Sequence, residues 1–375
     1  MAHAYTPGLK VLHETKIDKE RRLPLKGTVT VKEGSNVTPD DIVAKTDLPG
    51  NVQMVNVANQ LNIDADDVKE AMIVKEGTAV SKDEMIAETK GIFGLFKSNV
   101  IAPVDGTIEV ISDTTGQVVI REAPIPVEID AYMSGTIKKV LPEEGVIIES
   151  EGVFIQGIFG IGGESRGNLE IVTGTREDEI TEEMITSELE GKIIVGGSFI
   201  SLNAYKKAIQ MKVAGVVVGG FNYFDLEDIL GYTLGVAITG SEDLVTSLIL
   251  TEGYGKIRMG SQTFDLLKEH RGKFASVNGA TQIRAGVIRP EIVVPLTKDQ
   301  LKGDHKDANA SEGIQAGSLV RVIRAPYFGR MGKVIDLPAD LRKMESETMV
   351  RVAIIEIDGE NVEIPRANLE MVETD

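Results

Sequence analysis

Gly163-Glu164-Ser165-Arg166-Gly167 is the segment whose residue types and spacing best match a nucleophile motif, because G-x-S-x-G can expose a serine on a tight strand-to-helix turn. His270 and several carboxylates follow in the chain order a serine triad could use. The flanking residues argue against that chemistry. Asn168 to Val172 reads as a returning strand across a polar turn, whereas the motif needs a helix after the serine. The chain has no Cys and four His. Thiolate nucleophiles, iron-sulfur clusters and Cys-ligated zinc are therefore excluded. No HExxH spacing occurs, Gly157, Gly160, Gly162 and Gly163 fall short of G-x-G-x-x-G, and no P-loop is present. We expect no catalytic residue, no metal and no cofactor.

A ligand crevice has a weaker signature in the middle of the chain. Gly196-Gly197-Ser198, Gly219-Gly220 and Gly240-Ser241 each follow an apolar run that reads as a strand. Carboxyl ends of parallel strands are where α/β sheets place ligands, and glycine lets a ligand approach the backbone. Three strand-to-helix turns that use glycine for positive φ would look the same.

Near the carboxyl end, Arg321, Arg324, Arg330 and Lys333 cluster around Tyr327 and Phe328, which sets phosphate donors beside stacking faces. A solvated loop whose aromatics pack on their own domain is the alternative. The run from Ala316 to Ile335, with its late glycine Gly332, resembles a KOW motif. KOW barrels occur in NusG-type elongation factors and in ribosomal proteins, so the resemblance implies a small SH3-like barrel that binds RNA or a protein partner. Four strand-like segments fit that barrel's size: Leu319 to Ile323, Lys333 to Ile335, Met349 to Ile357 and Val362 to Ile364 are separated by turn signals, and Asp358-Gly359 marks a hairpin.

The elements that must position these groups begin with an internal repeat. Val31-Lys32-Glu33-Gly34 recurs as Val74-Lys75-Glu76-Gly77, and Asp40 to Thr46 recurs as Asp83 to Thr89. Separately, Gly106-Thr107-Ile108 through Val118 recurs as Gly135-Thr136-Ile137 through Ile147. Short Val/Ile runs broken by glycine are the pattern of stacked β-hairpins. One short helix is expected over 64–71, with Asp64 as its N-cap. The VKEG hairpins and Ala102-Pro103-Val104-Asp105-Gly106-Thr107-Ile108 resemble the barrel-sandwich hybrid fold of lipoyl and biotinyl carrier domains. In a carrier, a lysine occupies a tight hairpin tip between methionines. Here Lys90 and Lys97 lie in an enlarged loop without them, so both are expected as solvated lysines. Its apolar tip, Ile92, Phe93, Leu95 and Phe96, is expected either to plug the barrel or to form a docking patch.

From 178 onward, strand-like and helix-like segments alternate, implying an α/β layer with part of its sheet parallel. Helices are expected over 178–189, 202–211, 225–230 and 263–270, with strands at 192–195, 213–218, 236–239 and 292–295. The polar stretch 298–313 reads as a linker. A basic cluster, Lys16, Lys19, Arg21, Arg22 and Lys26, reads as a solvated arm. The expected organisation is thus multidomain α+β: an N-terminal arm (1–22), a β barrel-sandwich hybrid (23–177), a central α/β domain with a partly parallel sheet (178–297), a linker (298–313) and a C-terminal SH3-like KOW barrel (314–375).

The formal charge is −18, with 42% hydrophobic and 26% charged residues. That describes a folded protein whose overall field repels nucleic acid, so any RNA contact must be focal. The amino terminus lacks the apolar core of a secretory signal, and no apolar run approaches the length of a membrane span. We expect a cytoplasmic, non-enzymatic binding or scaffold protein that docks through its C-terminal domain onto an RNA–protein machine or a protein surface, without membrane insertion. Two alternatives stay open: a self-assembling structural homo-oligomer, and an enzyme or carrier subunit with a ligand at the central strand ends.

Overall fold

The computed structural model describes residues 9–89, 98–232, 239–240, 242, 244–282, 288–301, 314, 316–343 and 349–371. The protein is mostly β, with a thirteen-stranded mixed sheet, smaller sheets amino-terminal to its centre, and a six-stranded C-terminal half-barrel. Among the described residues, no helix is long and apolar enough to cross a membrane.

The two sequence repeats turn out to be the matched halves of two modules, one nested inside the other. In the outer module, Gly34 N donates to Ile137 O at 2.8 Å and Ile137 N to Ser35 O at 2.9 Å. In the inner module, Gly77 N donates to Ile108 O at 2.7 Å and Ile108 N to Thr78 O at 2.9 Å. The repeated glutamates do the same work: Glu33 accepts from Val140 N at 3.0 Å, and Glu76 from Ile111 N at 2.7 Å. Strand pairing agrees residue for residue, since Lys45 opposes Glu128 as Glu88 opposes Asn99. Both pairings break register one step later.

The inner module, residues 51–122, interrupts the outer one between paired strands Ile42–Leu48 and Ile125–Asp130. Its ends close on each other: Glu122 N donates to Asn51 O at 2.9 Å. A side chain on Gly50 would meet Glu122 O at 2.0 Å. Each module has its own core. Val80, Ile86, Val100, Ile108 and Val118 cluster in the inner one, and Val37, Val43, Ile137, Val146 and Ile148 in the outer one. The apolar side chains repeat at every second residue, as strands with one buried face require.

The amino-terminal stretch expected as a solvated arm is instead the strand Val11–Arg22, paired antiparallel along Gly145–Gln156. Ile17 faces the core, and Lys19, Arg21, Arg22 and Lys26 find partners, while Lys16 stays exposed. Arg21 contacts Asp130 at 3.1 Å and Glu164 at 2.5 Å, and Lys19 pairs with Glu291. Lys26 contacts Glu143 at 3.0 Å. Gly145–Gln156 also pairs with Glu291–Pro295, so the outer module and the central layer share one continuous sheet across residue 178.

In the central layer, strands Glu164–Ile171, Ile193–Val195, Gly215–Phe221 and Ser247–Tyr254 run parallel, while Phe274–Asn278 pairs antiparallel with both Glu164–Ile171 and Glu291–Pro295. Helices Leu202–Gln210 and Ser261–Glu269 cover it. Ser201 caps the first, accepting from Ala204 N at 3.2 Å. The helix expected over 178–189 is absent. A short strand, Glu179–Ile180, pairs with Phe199–Ile200 and is followed by two 3-10 turns, Glu182–Met184 and Ser187–Leu189. Burial of Ile180, Ile185 and Leu189 is met without helical spacing, and extended Thr181 and Thr186 break the run. Residues 65–71 form a 3-10 turn and one α-turn, and Asp64 makes no side-chain cap. Residues 236–238 of the strand expected at 236–239 and most of the linker fall outside the described residues.

In the half-barrel, Leu319–Val322, Met331–Asp336, Met349–Ile357 and Glu360–Pro365 form the expected strands, with short Leu341–Lys343 and Leu369–Met371 added. Asp358 and Gly359 take φ of 54° and 86°, as a two-residue hairpin turn with the twist of its strands requires.

Candidate docking surface at the half-barrel junction

The loop 323–330 joins Leu319–Val322 to Met331–Asp336 and lies against the carboxyl end of the strand Ser247–Tyr254. Hydrogen bonds from Gly329 N to Val322 O (2.8 Å) and Val322 N to Arg330 O (2.9 Å) close its base. Gly329 takes φ of 79°, and its carbonyl oxygen lies 2.9 Å from where a side chain on Gly253 would begin. Gly332 is needed for clearance, because a Cβ there would meet Ile355 Cγ2 at 2.4 Å.

The basic and aromatic residues of this loop divide into two sets. Arg321 is 3% exposed and belongs to the inside of the molecule. Its Nη1 donates to Thr251 O at 2.9 Å, Nη2 lies 3.3 Å from Glu252 Oε2, and Nε lies 3.9 Å from Glu370 Oε2. Arg289 reaches Glu370 at 3.4 Å, and Glu252 accepts from Gly260 N at 2.9 Å. Burial raises the Glu370 carboxyl above its ordinary range, and the nearby guanidiniums of Arg321 and Arg289 oppose that shift. Phe328 packs edge-on against Tyr254 with centroids 6.1 Å apart. Arg324, Tyr327, Arg330 and Lys333 face solvent, with Arg330 3.0 Å from Asp358.

Tyr254 continues a line of aromatic rings to the surface. It meets Tyr223 at 5.1 Å, and Tyr223 meets Phe224 at 5.8 Å. Phe224 is 82% exposed, the most exposed large apolar side chain described, and Tyr223 and Tyr327 are each 37% exposed. Tyr223 and Phe224 were not singled out from sequence. Their signal was the aromatic pair in Phe221-Asn222-Tyr223-Phe224, directly after a strand that is buried throughout.

The space beside the glycines expected to line a ligand crevice is filled by the protein's own backbone and side chains. A side chain on Gly196 would strike Ile180, one on Gly197 the carbonyls of Asp178 and Thr175, one on Gly219 Ile257 O at 2.0 Å, and one on Gly220 Gly255 O at 2.0 Å. Ser198 is buried and donates to Glu177 O at 2.7 Å. Gly240, with φ of 108°, abuts Ala280. These glycines let segments 175–178 and 255–259 pack tightly over the strand ends. Ser241 lies outside the described residues, as do Lys90, Lys97 and the apolar tip Ile92, Phe93, Leu95 and Phe96.

Ser165 lies within the strand Glu164–Ile171, its hydroxyl against that of Ser247. His270 follows the helix Ser261–Glu269 beside the Leu169 end of that strand, where Gly272 N donates to Leu169 O at 2.8 Å. Leu169 is four residues along the strand from Ser165, about 13 Å at the usual rise. The structure does not bring this serine and histidine together.

No protein-family model matches the chain, and a search of curated proteins finds no match.

Proposed function

We propose that this chain is a non-enzymatic scaffold protein that docks onto a protein surface through Phe224, Tyr223, Tyr327 and Arg324, with the half-barrel acting as a KOW-type, SH3-like recognition domain. The observation that carries this reading is the division of the loop residues. The central guanidinium, Arg321, is neutralised internally by Glu252 and Glu370, while aromatic side chains are left facing solvent. Acidic Asp225, Glu227 and Asp228 follow Phe224 in the first turn of its helix. That charge repels a phosphate backbone and suits a partner that combines an apolar recess with basic groups. On this reading the two nested modules are barrel-sandwich hybrids that act as spacers and assembly surfaces, a view supported by their matching hydrogen bonds.

The test is affinity purification of full-length protein from native lysate, with wild type compared to the double variant Phe224→Ala/Tyr327→Ala, each with and without ribonuclease. Association is expected to survive ribonuclease and to be lost in the double variant. Loss on ribonuclease treatment would move the reading to RNA, which the exposed Arg324 and Lys333 beside Tyr327 would then serve. Full retention by the double variant would overturn both.

A further inference from the structure

Among the described residues, four strands of five or more residues have a neighbour on one side only: Val11–Arg22, Val52–Asn56, Ile125–Asp130 and Glu360–Pro365. An open strand edge is a template for pairing with another chain, and proteins commonly block it with charge or proline. Val11–Arg22 carries Glu14, Lys16, Asp18, Lys19, Glu20, Arg21 and Arg22. Ile125–Asp130 carries Pro126, Glu128 and Asp130, and Glu360–Pro365 carries Glu360, Glu363 and Pro365. Val52–Asn56, sequence VQMVN, carries neither charge nor proline.

This unblocked edge is also apolar on its outer face. Met54 is 68% exposed and Val52 46%. Met54 lies opposite Val119, which lies opposite exposed Val110, so an apolar stripe runs back from the edge across the sheet. Hydrogen-bond parity fixes which groups are open. Glu122 N donates to Asn51 O, so Asn51, Gln53 and Val55 turn inward toward residues 118–122. Val52 and Met54 therefore turn their N–H and C=O groups to the open side.

We propose that the Val52–Asn56 edge pairs antiparallel with the same edge of a second copy of this chain, about a two-fold axis at Gln53. A second copy of the strand meets this geometry from both sides with the same residues. Val52 of each copy lies opposite Met54 of the other, both residues present outward hydrogen-bonding groups, and their side chains join the two apolar stripes. The two Gln53 residues face each other as a non-hydrogen-bonded pair, the closer spacing of an antiparallel ladder. A contact of one short edge gives a dimer with Kd on the order of micromolar. The inference is independent of the docking surface proposed above, which lies in another part of the chain.

The chain has no cysteine, so Gln53→Cys introduces a single thiol at the two-fold axis, where the Cα spacing suits a disulfide. Under mild oxidation the full-length Gln53→Cys protein is expected to form a covalent dimer at least about tenfold faster than Lys16→Cys, a control on the charged edge. Without cross-linking, sedimentation of wild type from roughly 1 to 100 micromolar should show twice the 40.5 kDa chain mass at the upper end. Met54→Lys should weaken that association at least about tenfold with unchanged circular dichroism, because Met54 is exposed. A wild type that stays at chain mass throughout, a Met54→Lys protein that associates as tightly as wild type, or equal cross-linking of the two cysteine variants would each overturn the proposal.

Discussion

Arg321 illustrates how far a residue's chemistry depends on its surroundings. A guanidinium beside two aromatics in sequence resembles a phosphate-binding group, yet here it is desolvated and shared by two carboxylates. Burying such groups is costly unless each is paired, and Thr251 O, Glu252 and Glu370 supply the partners. Glu370 bears the strain. Its folded-state pKa is raised by burial, so the folded protein binds more protons than the unfolded one between the ordinary glutamate value, 4.5, and the raised value. Stability from this group falls as pH rises through that window. Glu370→Gln, which cannot ionise, should flatten the pH dependence there; an equal fall of unfolding free energy with pH in both proteins, from urea titrations repeated across that window, would contradict the assignment.

At the scale of elements, the duplicated modules give an internal control. Gly34 and Gly77 both take positive φ, 79° and 83°, with open space where a side chain would stand. Alanine at either should cost about 1 kcal/mol from backbone strain alone. Gly106 and Gly135 differ, because a Cβ at each would meet a backbone carbonyl at 2.4 Å, that of Arg121 or Glu149. Alanine there should cost about 3 kcal/mol. Hydrogen exchange of amides in each module reads the local loss, and the ranking should be the same in both modules. A different ranking would mean that the matching hydrogen bonds do not reflect matching energetics.

For the whole molecule, nesting sets the expected folding units. Residues 51–122 have their own apolar core and ends that meet at Asn51 and Glu122, so their contacts are largely internal. Expressed alone, this segment should unfold cooperatively; a broad transition without protected amides would show that it depends on the outer module. The outer module has no such independence, since Gly145–Gln156 is shared with the central sheet, and Arg166 reaches Asp130 and Arg21 reaches Glu164 across that junction.

Several features were legible in the residues alone. The two repeats could be read because the same hydrogen bonds demand Glu and Gly at the same places, and Asp358-Gly359 announced its hairpin through residues that tolerate positive φ. The alternation of strands and helices after 190 likewise reflects local periodicity. Only the tertiary structure decided that the first repeat pairs with the second in nested order, that 11–22 is a strand, that Arg321 faces inward, and that the edge at Val52–Asn56 is left open. Local pattern specifies which face of a segment is apolar; it does not specify which distant segment covers that face, and a charge or a strand edge is available for binding only where none does.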